Sequence, residues 1–323
     1  MAEIFATTLE PTKLELLTDW IARQRWYVGT GEPRLRRLGG YRLDDPADEV
    51  GIEIIVVADD SPLARGAGAS DPEPVVYQVP LTYRGAELPG GENALVGTLQ
   101  HGILGKRWVY DAPHDPVFTA ALYDMATGAT RPQHATKSFT SEPRVVATTH
   151  GDPGLMRVSG SRVLSGEQSN TSIILDLAGV AEVAENNGGG RVGPVAQVIA
   201  KLFRTLSPGE NPDVVLTGAI SDSGPDESGE LPPVPRLVAD VSGTWSAPGT
   251  GAGTDVDTES DTETETAEVR GHLLIVQEFL ADTRDAWRTA LDAARAGTDF
   301  TRRASELGRA TARVHRILAS ELP

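Results

Sequence analysis

The chain has 323 residues, of which 39% are hydrophobic and 23% are charged, and this composition is that of a globular protein long enough for two domains. It contains no cysteine, which excludes disulfides, thiolate zinc sites and cysteine nucleophiles and agrees with a reducing cytoplasm, where we expect the protein to be located. The net charge of −17 argues against nucleic acid or an anionic membrane as a partner, and no apolar stretch approaches the roughly 18 residues of a membrane span.

The first predicted element is a helix that begins after Thr12. Thr12 as N-cap and Glu15 three residues later form a capping box, and apolar residues follow at helical spacing. Residues 51–58 and 75–84 are rich in β-branched side chains, which predicts strands. Residues 1–105 are therefore predicted to form an antiparallel sheet with one or two helices.

A second unit is predicted over residues 106–280. It contains a helix near 118–125, a strand–turn–strand unit over 162–177, and a strand over 195–204 that carries Lys201. Asn211 followed by Pro212 is a favourable helix start, because asparagine caps the helix and a proline at the first position has no N–H to lose. Two more strands are predicted at 234–240 and 273–280.

The segment between the last two strands is different in composition. Residues 253–268 contain seven acidic residues and no Lys or Arg, so the low-complexity segment 246–268 is predicted to be a disordered insertion. The remaining residues, 281–323, are predicted to be helical, because apolar residues recur at helical spacing towards the C-terminus. The whole chain is predicted to be of the α+β class.

The order of these elements indicates a phosphate-binding sheet. A covering turn supplies N–H and hydroxyl donors, a lysine on the third strand reaches phosphate oxygens, and backbone groups after an apolar strand read a flat base. Residues 165–172, Lys201 and residues 277–280 stand in that order. Each feature also has an interpretation without phosphate binding. Residues 165–172 could be a Ser/Asn-rich hairpin, Lys201 a solvated strand end, and residues 277–280 a common strand terminus.

Several strings of this sequence resemble the bacterial maltokinases. They are residues 20–27 (WIARQRWY), 107–118 (RWVYDAPHDPVF), 164–172 (LSGEQSNTS), 201–204 (KLFR), 208–213 (PGENPD) and 276–280 (VQEFL). The resemblance spans nearly the whole chain outside the acidic insertion.

The resemblance implies a fold, an activity and partners. The fold would be an N-terminal cap followed by the ATP-binding lobe of a protein-kinase-like fold, as in aminoglycoside phosphotransferases. The activity would be transfer of a phosphoryl group from ATP, with Mg²⁺, to maltose, and the product, maltose 1-phosphate, would feed glycogen and α-glucan synthesis beside a trehalose synthase partner. The ATP-binding residues that it implies are Gly166, Glu167, Gln168, Ser169, Asn170, Lys201, Gln277, Glu278, Phe279 and Leu280.

The sequence departs from this family in two respects. Family members continue into a helical lobe with a His-Gly-Asp catalytic loop and a metal-binding aspartate, and no such loop follows residue 280 here. The resemblance therefore implies that residues 281–323 are the start of a helical lobe that is incomplete, and no catalytic or metal-binding residue is assigned. The triplet His150-Gly151-Asp152 precedes the covering turn and is interpreted as a turn. Lys201 also lacks an identified carboxylate partner; Glu210 and Asp213 are the nearest in sequence.

Other motifs are weaker. Gly105-Lys106 does not complete a Walker A loop, because residues 100 and 107 do not fit. His114 between Asp111 and Asp115 suggests a metal site, but Pro113 and Pro116 favour a structural loop. Two other functions stay open: a non-catalytic nucleotide-binding or partner-binding module, and a kinase for another sugar such as glucosamine.

Overall fold

We describe the protein from a computed structural model. The structure describes residues 8–29, 31–61, 74–134, 145–151, 154, 156–166, 169–179, 197–226, 229–248 and 267–322. Within these residues it combines antiparallel β-sheets with α-helices, so the α+β prediction is confirmed at this level.

The first sheet is formed mainly by the N-terminal part of the chain. Its strands are β1 (Leu9–Glu10), β2 (Leu35–Leu43), β3 (Gly51–Asp59), β4 (Val75–Arg84), β5 (Leu95–His101), β6 (Gly105–Asp111) and β7 (Gln133–His134). They lie in the spatial order β1-β5-β6-β4-β3-β2-β7, and all neighbours are antiparallel. The predicted division at residue 105 stays a prediction, as does the one at residue 280.

The second sheet follows along the chain. Its strands are β8 (Val145–Thr149), β9 (Met156–Val163), β10 (Asn170–Gly179), β11 (Gln197–Phe203), β13 (Leu237–Ser246) and β14 (Glu268–Glu278). Their spatial order is β8-β13-β14-β11-β10-β9, again antiparallel throughout. The short strand β12 (Thr205–Leu206) directly continues β11 but pairs with β4 of the first sheet, so the chain crosses here from one sheet to the other.

Five α-helices occur in the described residues: α1 (Lys13–Ile21), α2 (Pro116–Ala126), α3 (Pro212–Asp222), α4 (Ala286–Ala296) and α5 (Thr301–Glu321). The capping box of Thr12 and Glu15 is present at α1, and the Asn211 side chain caps α3 as predicted. Both signals depend only on neighbouring residues, which explains why they are readable in the sequence.

Sheet one is buried on both faces. Ile55 and Val57 of β3 pack with α1, while Ile54 and Val56 face the opposite side, where they share a core with α2 and the second sheet. Because successive side chains of a strand point to opposite faces, a strand covered on both sides is apolar at nearly every position. The first sheet therefore separates α1 from the second sheet.

The two sheets share one hydrophobic core. Val198, Ala200 and Leu202 of β11 are fully buried in the same cluster as Phe118 of α2 and Leu38 of β2. Burial of a Val, Leu or Phe side chain, such as those of Val198, Leu202 and Phe118, stabilises the fold by about 1.5–3 kcal/mol. We therefore infer that the second sheet depends on the first for much of its core.

Strand β13 differs from its prediction. It was predicted at residues 234–240 and lies at Leu237–Ser246, because Pro235 and the prolines before it lack the N–H that a ladder requires. Its last residue pairs with Glu268, so the acidic segment does connect two paired strands. Residues 249–266, which contain most of the predicted disordered insertion, lie outside the described residues.

Helices α4 and α5 pack loosely. Neither contains a buried residue, and Trp287 on α4 is 70% exposed. Helix α5 lies beside α3, and Arg313 pairs with Asp226 just after that helix. Across the part of the chain that the structure describes, no helix combines the length and apolar character needed to cross a bilayer.

Candidate functional site

Lys201 lies in the middle of the second sheet. On β11 it is paired with Ser172 of β10 and with Ile275 of β14. Its neighbours Ala200 and Leu202 point into the shared core, so Lys201 lies on the other face, where it is partly exposed. Among the described residues it forms no ion pair, and neither Glu210 nor Asp213 contacts it. Its carboxylate partner stays unidentified.

The predicted covering turn lies at one end of β11. It joins β9 to β10, and Asn170, the first residue of β10, is paired with Phe203, two residues beyond Lys201. Gly166 has φ +119°, a conformation that residues with a side chain rarely adopt, and it is exposed together with Ser169. Glu167 and Gln168 lie outside the described residues.

Residues 277–280 lie at the opposite end of β11. Gln277 is paired with Ile199, and the N–H of Phe279 donates to the carbonyl of Gln197 at 3.0 Å. From Gln197 to Lys201 the strand covers about 13 Å, given roughly 3.3 Å per residue. The structure thus places the turn and residues 277–280 beside opposite ends of β11, with Lys201 between them.

The side chains of this second segment are already engaged. The amide of Gln277 donates to the hydroxyl of Thr217 on α3 at 3.2 Å, and Glu278 pairs with Arg236 at 3.4 Å. The N–H groups of Glu278 and Phe279 donate to the carbonyls of Arg236 and Gln197. Only Leu280 in this segment is strongly exposed.

A buried polar cluster joins the first sheet to the covering turn. Nη2 of Arg204 donates to both carboxylate oxygens of Asp111, at 2.7 and 2.8 Å, and its Nε donates to the hydroxyl of Thr171 at 2.8 Å. The guanidinium carbon lies 4.9 Å from the centre of the Trp26 ring. The sequence did not predict that these residues contact one another, although all four lie within the strings that carry the resemblance. Asp111 and Arg204 are 93 residues apart, so no local pattern in the sequence indicates that they form an ion pair.

A second cluster surrounds Asp240 on β13. The Nε2 atom of His150 lies 2.9 Å from Asp240 and its Nδ1 atom 3.5 Å from Asp222, at the end of α3. His272 accepts from the N–H of Asn211 at 3.0 Å and lies 3.7 Å from Asp240. The hydrogen bond to Asp240 raises the pKa of His150, although burial opposes this, and Asp222 adds to the rise. His150 is thus engaged by carboxylates of the fold, and Asp152 lies outside the described residues.

The carboxylates on either side of His114 are both paired with arginines. Asp111 is paired with Arg204, and Asp115 is paired with Arg84 at 2.6 Å while it caps α2. Burial lowers the pKa of His114, and Arg204 and Arg25 lower it further against the influence of Asp111. Over the described residues, no group of three or more His, Cys, Asp or Glu is arranged to hold a metal ion. The structural-loop interpretation is therefore the one that these contacts support.

The described residues form two antiparallel sheets, and the chain crosses between them directly after β11, the strand of Lys201, which has no ion-pair partner among these residues. Residues 20–115 match the family described as the maltokinase N-terminal cap domain. This stretch extends from Trp20 in α1 through β6 to Asp115, and Trp20 and Trp26 within it are buried. The N-terminal part of the chain is therefore maltokinase-like, and we refer to these residues below as the cap.

Proposed function

We propose that this chain carries the ATP-binding part of an ATP-dependent sugar kinase that forms maltose 1-phosphate and ADP from maltose and ATP. The cap match at residues 20–115 is the observation that carries this proposal. The succession of covering turn, Lys201, α3 and the segment 277–280 supports the kinase-like interpretation of the second sheet.

In this proposal ATP lies along β11. The ammonium group of Lys201 pairs with phosphate oxygens, and the N–H and hydroxyl groups of residues 165–170 donate to the same phosphates. The adenine lies at the far end of the strand. Since the N–H groups of Glu278 and Phe279 are already used, we assign its recognition to the backbone beyond Phe279.

Magnesium accompanies ATP in this proposal, but the described residues offer no set of ligands for it. We therefore derive no step through the ion. Phosphoryl transfer also requires a base that accepts the proton of the sugar hydroxyl, and no His-Gly-Asp triplet occurs in residues 281–323. We propose that residues 1–323 bind ATP without transferring its phosphoryl group to a sugar. A trehalose synthase partner remains part of the same proposal.

Calorimetry with ATP–Mg²⁺ tests the nucleotide site. Lys201→Met keeps the apolar stem and removes the charge, and we expect affinity to fall at least about tenfold, since a charge-assisted hydrogen bond contributes roughly 1.5–3 kcal/mol. Lys106→Met is the matched control, because Lys106 is exposed in the cap and lies over the Trp108 ring. Equal affinity of wild type and Lys201→Met contradicts the assignment of this lysine.

A coupled assay for ADP tests the second half of the proposal. With maltose or glucosamine as acceptor, we expect ATP to bind but no ADP to form above the background. Sustained ADP formation with maltose contradicts the non-transferring state and supports a kinase with an unrecognised base.

A non-catalytic binding module is the second candidate, and helices α4 and α5 favour it. Trp287 and Leu307 are exposed and no residue of either helix is buried, as expected for helices that another protein surface covers. A longer form of the protein separates the two candidates. If added C-terminal residues bring a catalytic aspartate, maltose phosphorylation appears; a non-catalytic module stays inactive in every form.

A further inference from the structure

Arg204 is completely buried and touches both the cap and the base of the covering turn. Its exposed fraction is 0%, and its Nη2 atom forms the two bonds to Asp111 at the end of β6. Its Nε bonds Thr171, and its backbone N–H donates to the carbonyl of Ser169 at 3.1 Å. One side chain therefore connects β6, the last strand of the matched cap, to Thr171 near the start of β10.

The position of Arg204 along the chain links these contacts to Lys201. Arg204 lies three residues after Lys201, between the end of β11 and the start of β12, where the chain passes from the second sheet to the first. Its own carbonyl accepts from the N–H of Gln78 on β4 at 2.8 Å. The backbone that carries Lys201 is thus held by the first sheet immediately beyond the lysine.

Stability alone is a poor reason for a charge at this position. A buried ion pair loses much of its attraction to the cost of removing both charges from water, and apolar side chains of similar volume often replace such pairs without loss. Arg204 also leaves Nη1 without a hydrogen-bond partner among the described residues. What an apolar residue cannot do is bind Asp111, Thr171 and the Trp26 ring in fixed directions.

Space is available for the turn to move when these bonds are missing. A cavity of about 250 Å³ lies between cap and turn, and its walls include Trp26, Asp111, Leu164, Ser165 and Thr171. Another contact between cap and turn, from Nη1 of the exposed Arg25 to the carbonyl of Leu164, is long at 3.4 Å. Arg204 is therefore the firmer of these two connections across the cavity.

We infer that Arg204 is a positioning residue through which the cap, by way of Asp111, sets the place of residues 164–166 and 169–170 of the turn relative to Lys201. This inference rests on the proposed function only in that the ligand under the turn is the triphosphate of ATP. Asp111 orients the guanidinium, and the guanidinium fixes Thr171. The backbone N–H of Arg204 holds the carbonyl of Ser169, and together these two contacts fix the C-terminal side of the turn. The cap thus controls nucleotide affinity without touching the nucleotide.

Thr171 offers the cleanest test because its shape can be kept while its hydroxyl is removed. Thr171→Val deletes the acceptor of Arg204 Nε, and Thr171→Ser retains it. Thr82→Val is the matched control, since Thr82 is a fully buried threonine of the cap whose hydroxyl has no partner among the described residues. We expect Thr171→Val to weaken ATP–Mg²⁺ binding by about fivefold, and the other two variants to bind like wild type.

Amide hydrogen exchange without nucleotide supplies the second readout. We expect exchange at Leu164, Gly166, Ser169 and Asn170 to accelerate by about tenfold in Thr171→Val, while Thr171→Ser and Thr82→Val leave it unchanged. Asp111→Asn should accelerate the same amides, and adding Thr171→Val to it should have less than the additive effect, because both act through Arg204.

The two readouts separate this inference from the proposed function. If wild type fails to bind ATP–Mg²⁺ while Thr171→Val loosens the turn, the nucleotide site is wrong and the positioning role stands. If ATP–Mg²⁺ binds and Thr171→Val matches Thr82→Val in both affinity and exchange, the positioning role is overturned. If Asp111→Asn does not fold, the three threonine variants still decide the question.

Discussion

The side-chain amide of Gln78, a residue of the cap, donates to the carbonyl of Phe203 at 3.0 Å, two residues after Lys201. The same Nε2 atom lies 3.0 Å from the carbonyl of Leu273 on β14. Gln78 is fully buried on β4, and the hydroxyl of Tyr41 lies 3.4 Å from its Oε1. A glutamine of one sheet therefore satisfies the backbone of two strands of the other sheet where they separate.

Replacing this amide should destabilise both sheets together. In Gln78→Met the volume is kept but two buried carbonyls lose their donor, at about 1–3 kcal/mol each. We expect the free energy of unfolding in urea, followed by tryptophan fluorescence, to fall by about 2–4 kcal/mol in a single transition. Gln100→Met, at an exposed position of β5, is the control and should stay within about 0.5 kcal/mol of wild type. Similar loss in both variants contradicts the bridging role.

Glu53 is the carboxylate of a buried ion cluster in the first sheet. It is 2% exposed and lies 2.8 Å from Lys13 and 3.1 Å from Arg37, with Arg42 at 3.8 Å. Burial by itself raises the pKa of Glu53, but these three cations together hold it well below the ordinary value of 4.5. The stability that this carboxylate contributes is therefore present above pH 4.5 and lost as the pH falls towards its lowered pKa.

Glu53→Gln should reduce stability at neutral pH and flatten the decline in acid. We expect a loss of about 2 kcal/mol at pH 7, because partly exposed cations lose a charge-assisted partner, and a smaller difference from wild type below pH 4. Urea unfolding at several pH values measures both effects. Glu49→Gln, on the exposed loop before β3, should leave the pH profile of wild type unchanged; a profile shared by all three proteins refutes the assignment.

Two glycines should respond oppositely to alanine. A Cβ on Gly271 of β14 would meet the carbonyl oxygen of Ser207 and lie 2.7 Å from the Trp245 ring. Gly308, inside α5, has open space around the same position. In thermal unfolding we expect Gly271→Ala to lower the free energy of unfolding by about 1–3 kcal/mol through overpacking. Gly308→Ala should raise local helix stability by about 0.5–1 kcal/mol. If Gly271→Ala is instead more stable than wild type, the prediction is contradicted, because the second sheet then tolerates a wider gap at Trp245.

The His150–Asp240 contact should make stability depend on pH near neutrality. Because the folded-state pKa of His150 is raised above 6.5, its contribution is fully present below pH 6.5 and is lost as the pH rises through the raised value. We expect His150→Asn to cost about 1.5 kcal/mol at pH 6 and clearly less at pH 8.5, measured by urea unfolding. His315→Asn, at an exposed site on α5, should show no such difference. An equal cost at both pH values contradicts the ionised contact.

Local features of the fold could be predicted, and contacts between distant segments could not. The start of α1 depends on Thr12 and Glu15 alone, and the start of α3 on Asn211 and Pro212, so both are readable in the sequence. Strand β13 begins later than predicted, because the start of a strand depends on which N–H groups find a partner strand. For the candidate site, the order of turn, lysine and final strand was visible in the sequence. Their separation along β11 depends on the pairing of Phe203 with Asn170 and of Ile199 with Gln277.

The sequence by itself determined the strand of Lys201, the turn before it and the capped helix after it. It did so because propensity, capping and glycine conformation act over a few residues. Only the tertiary structure decided that Arg204 is buried against Asp111, and that Gln78 completes the backbone of two strands of the other sheet. These contacts join residues between 93 and 195 positions apart, and their energy arises from exclusion of water at the place where the two sheets meet. Lys201 could therefore be predicted from the sequence as a candidate site residue. The contacts with the cap that hold its strand could not.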